Sequence, residues 1–253
     1  MIDMHVHLTG HQDRPASEEN IRDYLERASA KGLRAIGFAD HDYYLQDLNL
    51  PLIREIAQDY PALDVAIGLE VDYRPGEEKK IQEMLESFPF DFVLGSVHEI
   101  DGWLFDYPEE EPRHREKDPD EMYREYFRRV EMAASSGLFT TIGHFDLIKI
   151  FGVRSKTDVL ELADQALEVI RKKGLVLELN TAGRYKPVGE YYPEERILKE
   201  AYNRKIPVTL GSDAHQGSHV GRDLELGSQI LKSIGYKECI GFSQREKKVY
   251  PLV

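Results

Sequence analysis

The stretch MIDMHVHLTGH, residues 1–11, reads as an apolar strand interrupted by polar side chains. Asp3, His5 and His7 alternate with Ile2, Met4, Val6 and Leu8, and His11 follows four residues later. Successive strand residues face opposite sides of a sheet. The alternation therefore predicts one face carrying Asp3, His5 and His7 and an opposite, aliphatic face. Two imidazoles at i and i+2 on one strand can reach a single ion.

The same arrangement recurs along the chain. Short apolar runs at 2–7, 35–40, 65–71, 91–98, 139–144, 175–180 and 207–213 read as strands. They end, in order, at His5 and His7, Asp40 and His41, Glu70, His98, His144, Asn180, and Asp213 with His215. Nine histidines scattered at random over 253 residues would not fall this way. In the third run Glu70 shares a parity with Ala66 and Gly68, and in the seventh Asp213 shares one with Thr209 and Gly211. The polar or small side of each strand points to one interior, and the aliphatic side to a helix layer.

Between the strands lie amphipathic stretches. SEENIRDYLERASAKG (17–32) is one. Residues 118–137 form another, with Asp118 as cap, Pro119 at the first helical position, Glu121 completing a capping box and Gly137 as the stop. Residues 156–174 place Leu160, Ala163, Leu167 and Ile170 at helical spacing before Gly174. Strands alternating with helices predict a parallel sheet with crossovers. An open doubly wound sheet would carry a glycine-rich phosphate loop after its first strand. LTGHQDR (8–14) is neither that loop nor a Walker A motif. The expected fold is α/β, a distorted seven-stranded (β/α)7 TIM-like barrel. Its functional residues should gather at the C-terminal ends of the strands.

Composition sets the outer bounds. The length suits one domain, 1–253. A formal net charge of -13 argues against nucleic-acid and anionic-membrane partners, which need a basic face. The apolar runs are too short to cross a bilayer, and the N-terminus lacks the basic and apolar regions of a secretory signal. Cys239 is alone, so no intrachain disulfide can form, which fits a reducing cytoplasm. Nothing in the sequence speaks to an oligomer.

Imidazoles mixed with carboxylates, without thiolates, suit Zn, Mn or Fe better than Mg or Ca. Asp3 and Asp40 read as carboxylates that orient imidazoles. His114, in PEEEPRHREKDPD (108–120), reads as a solvated loop residue. Trp103, Phe105, Tyr107 and Tyr185 are candidates for an aromatic wall beside a substrate, and His219 for a substrate contact.

The motifs DMHVH (3–7), ADHD (39–42), GLEVDY (68–73), GSVH (95–98), GHFD (143–146) and GSDAH (211–215) together resemble those of the PHP (polymerase and histidinol phosphatase) family, in the family's order. Residues 68–85, 90–106, 143–149 and 178–198 are most similar to its histidinol-phosphate phosphatase branch, and the last stretch places Arg184 beyond the sixth strand. The resemblance implies three divalent ions. His5, His7, Glu70 and Asp213 would hold the first. Glu70, bridging, would join His98 and His144 at the second. His11, His41 and His215 would hold the third. It implies hydrolysis of a small phosphorylated metabolite, L-histidinol phosphate, by a hydroxide bridging two ions, with Arg184 gripping the phosphate. Asp213 and His215 are the groups nearest in sequence for proton transfer to the leaving alkoxide. Three rival readings remain. One is a family phosphoesterase acting on nucleotides or other small phosphoesters. The second is a non-catalytic metal-binding module. The third is an amidohydrolase, disfavoured because GSVHEID (95–101) stands where that family commonly has a lysine.

Overall fold

The computed structural model describes residues 1–252. Seven strands pair in chain order: β1 (Ile2–Val6), β2 (Ala35–Phe38), β3 (Asp64–Asp72), β4 (Phe92–Ser96), β5 (Thr141–Ile142), β6 (Val176–Asn180) and β7 (Val208–Gly211). Every neighbouring pair is parallel. A pairing of Val6 with Ala214 returns the sheet to its start, and His7 N donates to Ala214 O at 2.9 Å. The result is the nearly closed seven-stranded barrel expected from the alternation of strands and helices.

Eight helices follow the strands: α1 (Glu18–Ala30), α2 (Leu50–Ala57), α3 (Glu78–Leu85), α4 (Glu111–Glu116), α5 (Pro119–Ser136), α6 (Val159–Lys173), α7 (Glu195–Asn203) and α8 (Leu224–Ile234). Their ends obey local chemistry. The Asp118 carboxylate accepts from the amides of Asp120 and Glu121, and Gly137 takes the left-handed conformation that stops α5. Glu121 makes no return bond, so the cap is one-sided. Asp158 caps α6 and Gly174 ends it in the same way.

The strands stop short of their predicted C-terminal ends at β1, β2, β4, β5 and β7, and the polar residues that follow lie at the barrel mouth. The alternation expected in β1 is also broken. Its register against β2 shifts between Asp3 and Val6. Met4 consequently packs inward, at the space left by Gly37 and beside Phe92. Phe92 in turn occupies the room that Gly68 leaves without a side chain.

A second sheet, β8 (Glu238–Ser243) and β9 (Glu246–Pro251), is an antiparallel hairpin absent from the sequence reading. Its turn residues Gln244 and Arg245 both have positive φ. Such turns are normally signalled by Asn or Gly, and here that signal is missing. The hairpin closes the N-terminal end of the barrel. Gln244 N and Arg245 N donate to Asp91 Oδ1 and Asp91 O, each at 2.8 Å, just before β4. The Tyr250 hydroxyl donates to Asp64 Oδ2 at 2.8 Å at the start of β3. Phe242 stacks on Phe92 with 5.9 Å between ring centroids. No helix among the described residues is long and apolar enough to cross a membrane.

Candidate metal centre

At the opposite, C-terminal end, side chains from β1, β3 and the segments after β2, β4, β5 and β7 meet around Glu70. Its Oε2 lies 2.9 Å from His41 Nδ1, 3.4 Å from His5 Nε2 and 3.5 Å from His7 Nε2. Its Oε1 lies 2.8 Å from His144 Nε2 and 3.6 Å from His98 Nε2. Asp213 Oδ1 stands 3.0 Å from His7 Nε2, 3.7 Å from His5 Nε2 and 3.5 Å from His215 Nδ1. His5, His7, His41, His98, His144 and Glu70 are buried. Gly211 opens this space, since a Cβ there would strike the His5 and Glu178 side chains.

The donors fit divalent cations. His5 Nε2, Glu70 Oε2 and His215 Nε2 are buried and make no hydrogen bond, although other polar atoms surround them. Leaving such atoms unpaired is costly, and a cation removes the cost. His98 Nε2 and His144 Nε2 face one another at 3.2 Å beside the same carboxylate oxygen. Three groups have their ligand atoms within 4.8 Å of one another: His5, His7 and Glu70; His41, Glu70 and His98; and His7, His41 and His215. His11 stands outside them. It is exposed, with its ring 4.3 Å from that of His215 and 5.8 Å from that of His41.

Charge follows from the packing. Burial pushes the Glu70 carboxyl up, but His5, His41 and His98 outweigh it and hold Glu70 well below the usual carboxylate range. Burial is likewise outweighed at Asp213, by His5, His7 and His215. Burial drives His7 down, and the imidazoles of His215 and His41 drive it further, which leaves its lone pair free for a cation. His11, exposed but partly desolvated by the rings beside it, is lowered to about 4, by that desolvation first and then by His215 and His41.

Two residues that the sequence reading missed orient these rings. Glu178, on β6, places Oε1 2.7 Å from His5 Nδ1, and its Oε2 accepts from His144 N at 2.7 Å. Asp72, the last residue of β3, pairs with His98 Nδ1. Each carboxylate turns the far nitrogen of its histidine toward Glu70. Strand parity could have found both, since Glu178 is two residues from Asn180 and Asp72 two from Glu70. Asn180 itself donates to Asp213 Oδ2 at 3.3 Å.

The expectation that Asp3 and Asp40 orient imidazoles is corrected. Asp3 accepts from Ser212 N, Ser212 Oγ and Gly221 N, and Asp40 from Leu8 N, Thr9 N and Thr9 Oγ1. Both clamp the backbone that carries the ligands. His114 is no solvated loop residue. It is fully buried in α4, where its Nε2 donates to Phe105 O at 2.7 Å. Trp103 and Phe105 are buried too, with centroids 5.9 Å apart, and Trp103 lies against His114. Trp103 is thus packed into the interior rather than forming an open wall, with Arg113 and Lys117 over its ring at 5.2 and 4.8 Å. Arg184 is exposed just beyond β6, its Nη1 3.4 Å from the Tyr191 hydroxyl and its Nε 3.6 Å from Asp223 Oδ2. Tyr185 is exposed beside it and donates to Asp223 Oδ2 at 3.0 Å. Tyr107 is exposed. His219 pairs with the Gln216 amide at 2.6 Å.

Comparison with known proteins agrees with this arrangement. The PHP domain family model matches residues 3–182. A probable histidinol-phosphatase of Deinococcus radiodurans is 40% identical, with 99% of each chain covered. The histidinol-phosphatase of Bacillus subtilis is 30% identical over 81% of this chain and 90% of its own. The crystal structure of histidinol phosphate phosphatase from Lactococcus lactis, complexed with Zn, L-histidinol and phosphate, superposes with a TM-score of 0.79 at 25% identity, covering 98% of both chains. This chain belongs to the PHP family.

Proposed function

We propose that this chain is a metal-dependent phosphomonoesterase that hydrolyses L-histidinol phosphate to L-histidinol and phosphate, in the cytoplasm, as a step of histidine biosynthesis. The observation that carries the reading is the ring of imidazole nitrogens around Glu70 at the barrel mouth, several of its atoms buried and unpartnered. The full-length likeness to histidinol-phosphatases, one of them solved with L-histidinol and phosphate, supports the substrate.

His5, His7, Glu70 and Asp213 would hold one ion, and Glu70 with His98 and His144 a second. His41 and His215 would hold a third, with His11 beside them. The ions would be Zn, Mn or Fe. Bound there, they would supply a nucleophile at neutral pH and neutralise phosphoryl charge. The protein's own part is positioning. Glu178 and Asp72 fix the His5 and His98 rings, and Asn180 steadies Asp213. Arg184 has a planar, permanently charged fork suited to phosphoryl oxygens. From its exposed place after β6 it would close over them. Asp213 and His215, beside the centre, are the groups that would hand a proton to the leaving alkoxide. The acidic surface does not repel such a substrate, because three divalent ions outweigh Glu70, Asp213, Glu178 and Asp72 locally.

The test is phosphate release by Mn- or Zn-reconstituted protein. We expect kcat/KM for L-histidinol phosphate to exceed that for nucleotides and sugar phosphates by about a hundredfold or more. A flat profile would leave a general phosphoesterase. Metal binding without any phosphate release would leave a non-catalytic module.

A further inference from the structure

The loop after β4 carries a carboxylate that the metal centre does not use. Asp106 Oδ1 is buried and makes no hydrogen bond, and no lysine or arginine among the described residues pairs with Asp106. The loop is firmly held. His114 Nε2 fixes Phe105 O, and the Phe105 ring meets Tyr126 edge-on at 5.5 Å. The Tyr126 hydroxyl donates to His144 O at 3.3 Å. Asp106 follows directly on Phe105, which these contacts hold on the His98–His144 side of the mouth.

Tyr192 comes from the segment after β6. Its backbone is bridged to Asn180, with N–H···O hydrogen bonds of 2.7 and 3.0 Å, and its ring stands edge-on to His144 at 6.5 Å. Tyr192 is only 1% exposed, and its hydroxyl also lacks a partner. Lys149, whose Nζ lies 5.5 Å over the Tyr192 ring, donates to Asp146 Oδ2 and Tyr191 O, each at 2.8 Å, and makes no hydrogen bond to the hydroxyl. A buried carboxylate oxygen and a buried hydroxyl, both unsatisfied beside the ligand histidines, call for a ligand that brings N–H donors.

We propose that Asp106 and Tyr192 form the subsite for the ammonium group of the substrate, and so set a preference for amino-alcohol phosphates over simple phosphomonoesters. The inference rests on the histidinol-phosphate reading and deepens it. In that substrate the ammonium-bearing carbon adjoins the ester carbon. A phosphoryl group held near His98 and His144 therefore keeps the ammonium within reach of the segments after β4 and β6. One N–H donates to Asp106 Oδ1 and a second to Tyr192 Oη. Phe105 and His114 act as positioning residues for this carboxylate.

The test compares L-histidinol phosphate with 3-(imidazol-4-yl)propyl phosphate, the same ester without the amine, on metal-loaded enzyme. Wild type should favour the amine-bearing ester by roughly 10- to 100-fold in kcat/KM, the range of a charged hydrogen bond. Asp106→Asn should erase that ratio, chiefly through KM, with metal content retained. Tyr192→Phe should narrow it severalfold. An unchanged ratio in Asp106→Asn overturns the proposal. So does an equal fall for both esters, with or without metal loss, since Asp106 would then serve His98 or the fold. If wild type hydrolyses neither imidazole ester, the histidinol-phosphate reading fails. The ratio for phosphoethanolamine against ethyl phosphate then decides the ammonium subsite by the same criteria.

Discussion

Glu70 and Asp91 are both buried carboxylates, at opposite ends of one barrel, and their surroundings differ in kind. Asp91 is satisfied. It accepts from Ile67 N and Gln244 N at 2.8 Å and from Arg54 Nη2 at 3.1 Å, and it ties the β8–β9 hairpin to the sheet. Glu70 is crowded by five imidazoles, yet its Oε2 has no hydrogen bond. Polar groups that close their own valences hold a fold together. Groups that converge without doing so await something from outside.

That contrast can be broken from either end. Removing the central ligand should have the largest effect. Glu70→Gln should lower kcat/KM by about a thousandfold or more, with metal lost as measured by elemental analysis. Near-normal activity would mean that Glu70 does not bridge ions. Arg184→Ala should cost about 100- to 1000-fold, as expected for a lost group that stabilises transition-state charge, while metal content stays at the wild-type level. Unchanged turnover would remove Arg184 from the phosphate site. Glu178→Gln should cost about 10- to 100-fold in metal affinity or activity, the usual price of losing a carboxylate behind a ligating histidine. A metal titration reads this directly.

At the other end the ordering of effects should invert. Asp91→Ala leaves the amides of Ile67 and Gln244 without their side-chain acceptor and should destabilise the protein by about 2–4 kcal/mol in denaturant unfolding. Its kcat/KM at permissive temperature should stay within about twofold of wild type, in keeping with a residue remote from the chemistry. A catalytic defect in Asp91→Ala at full folding would show that the two ends are coupled.

The two ends also differ in how much the sequence reveals. The C-terminal end was legible because parallel strands leave few places for histidines, and HxH, Glu70 and Asp213–His215 fall at the ends of the first, third and seventh strands. Helix α5 was legible because Asp118, Pro119 and Gly137 each answer a local backbone need. The N-terminal closure was hidden, since Gln244 and Arg245 adopt positive φ without the residues that usually announce it. The register shift in β1 was equally invisible, because alternation is read on the assumption of an unbroken ladder. Asp3, Asp40, Asp72 and Glu178 look alike in sequence. Only three-dimensional partners separate the two that clamp backbone from the two that steer rings. His114 lay in a charged run, and the packing of Trp103 and Phe151 around it depends on the tertiary fold.

The plug formed by Phe92, Met4 and Phe242 has a consequence for traffic. With the lower end sealed, substrate, water and both products share one doorway. On the proposed reading, a phosphoryl group held at the buried ions would lie below the alcohol, so the alcohol would have to depart before phosphate could follow. The barrel would then work as a stack, last in and first out, with the order of product release following from which end the hairpin covers.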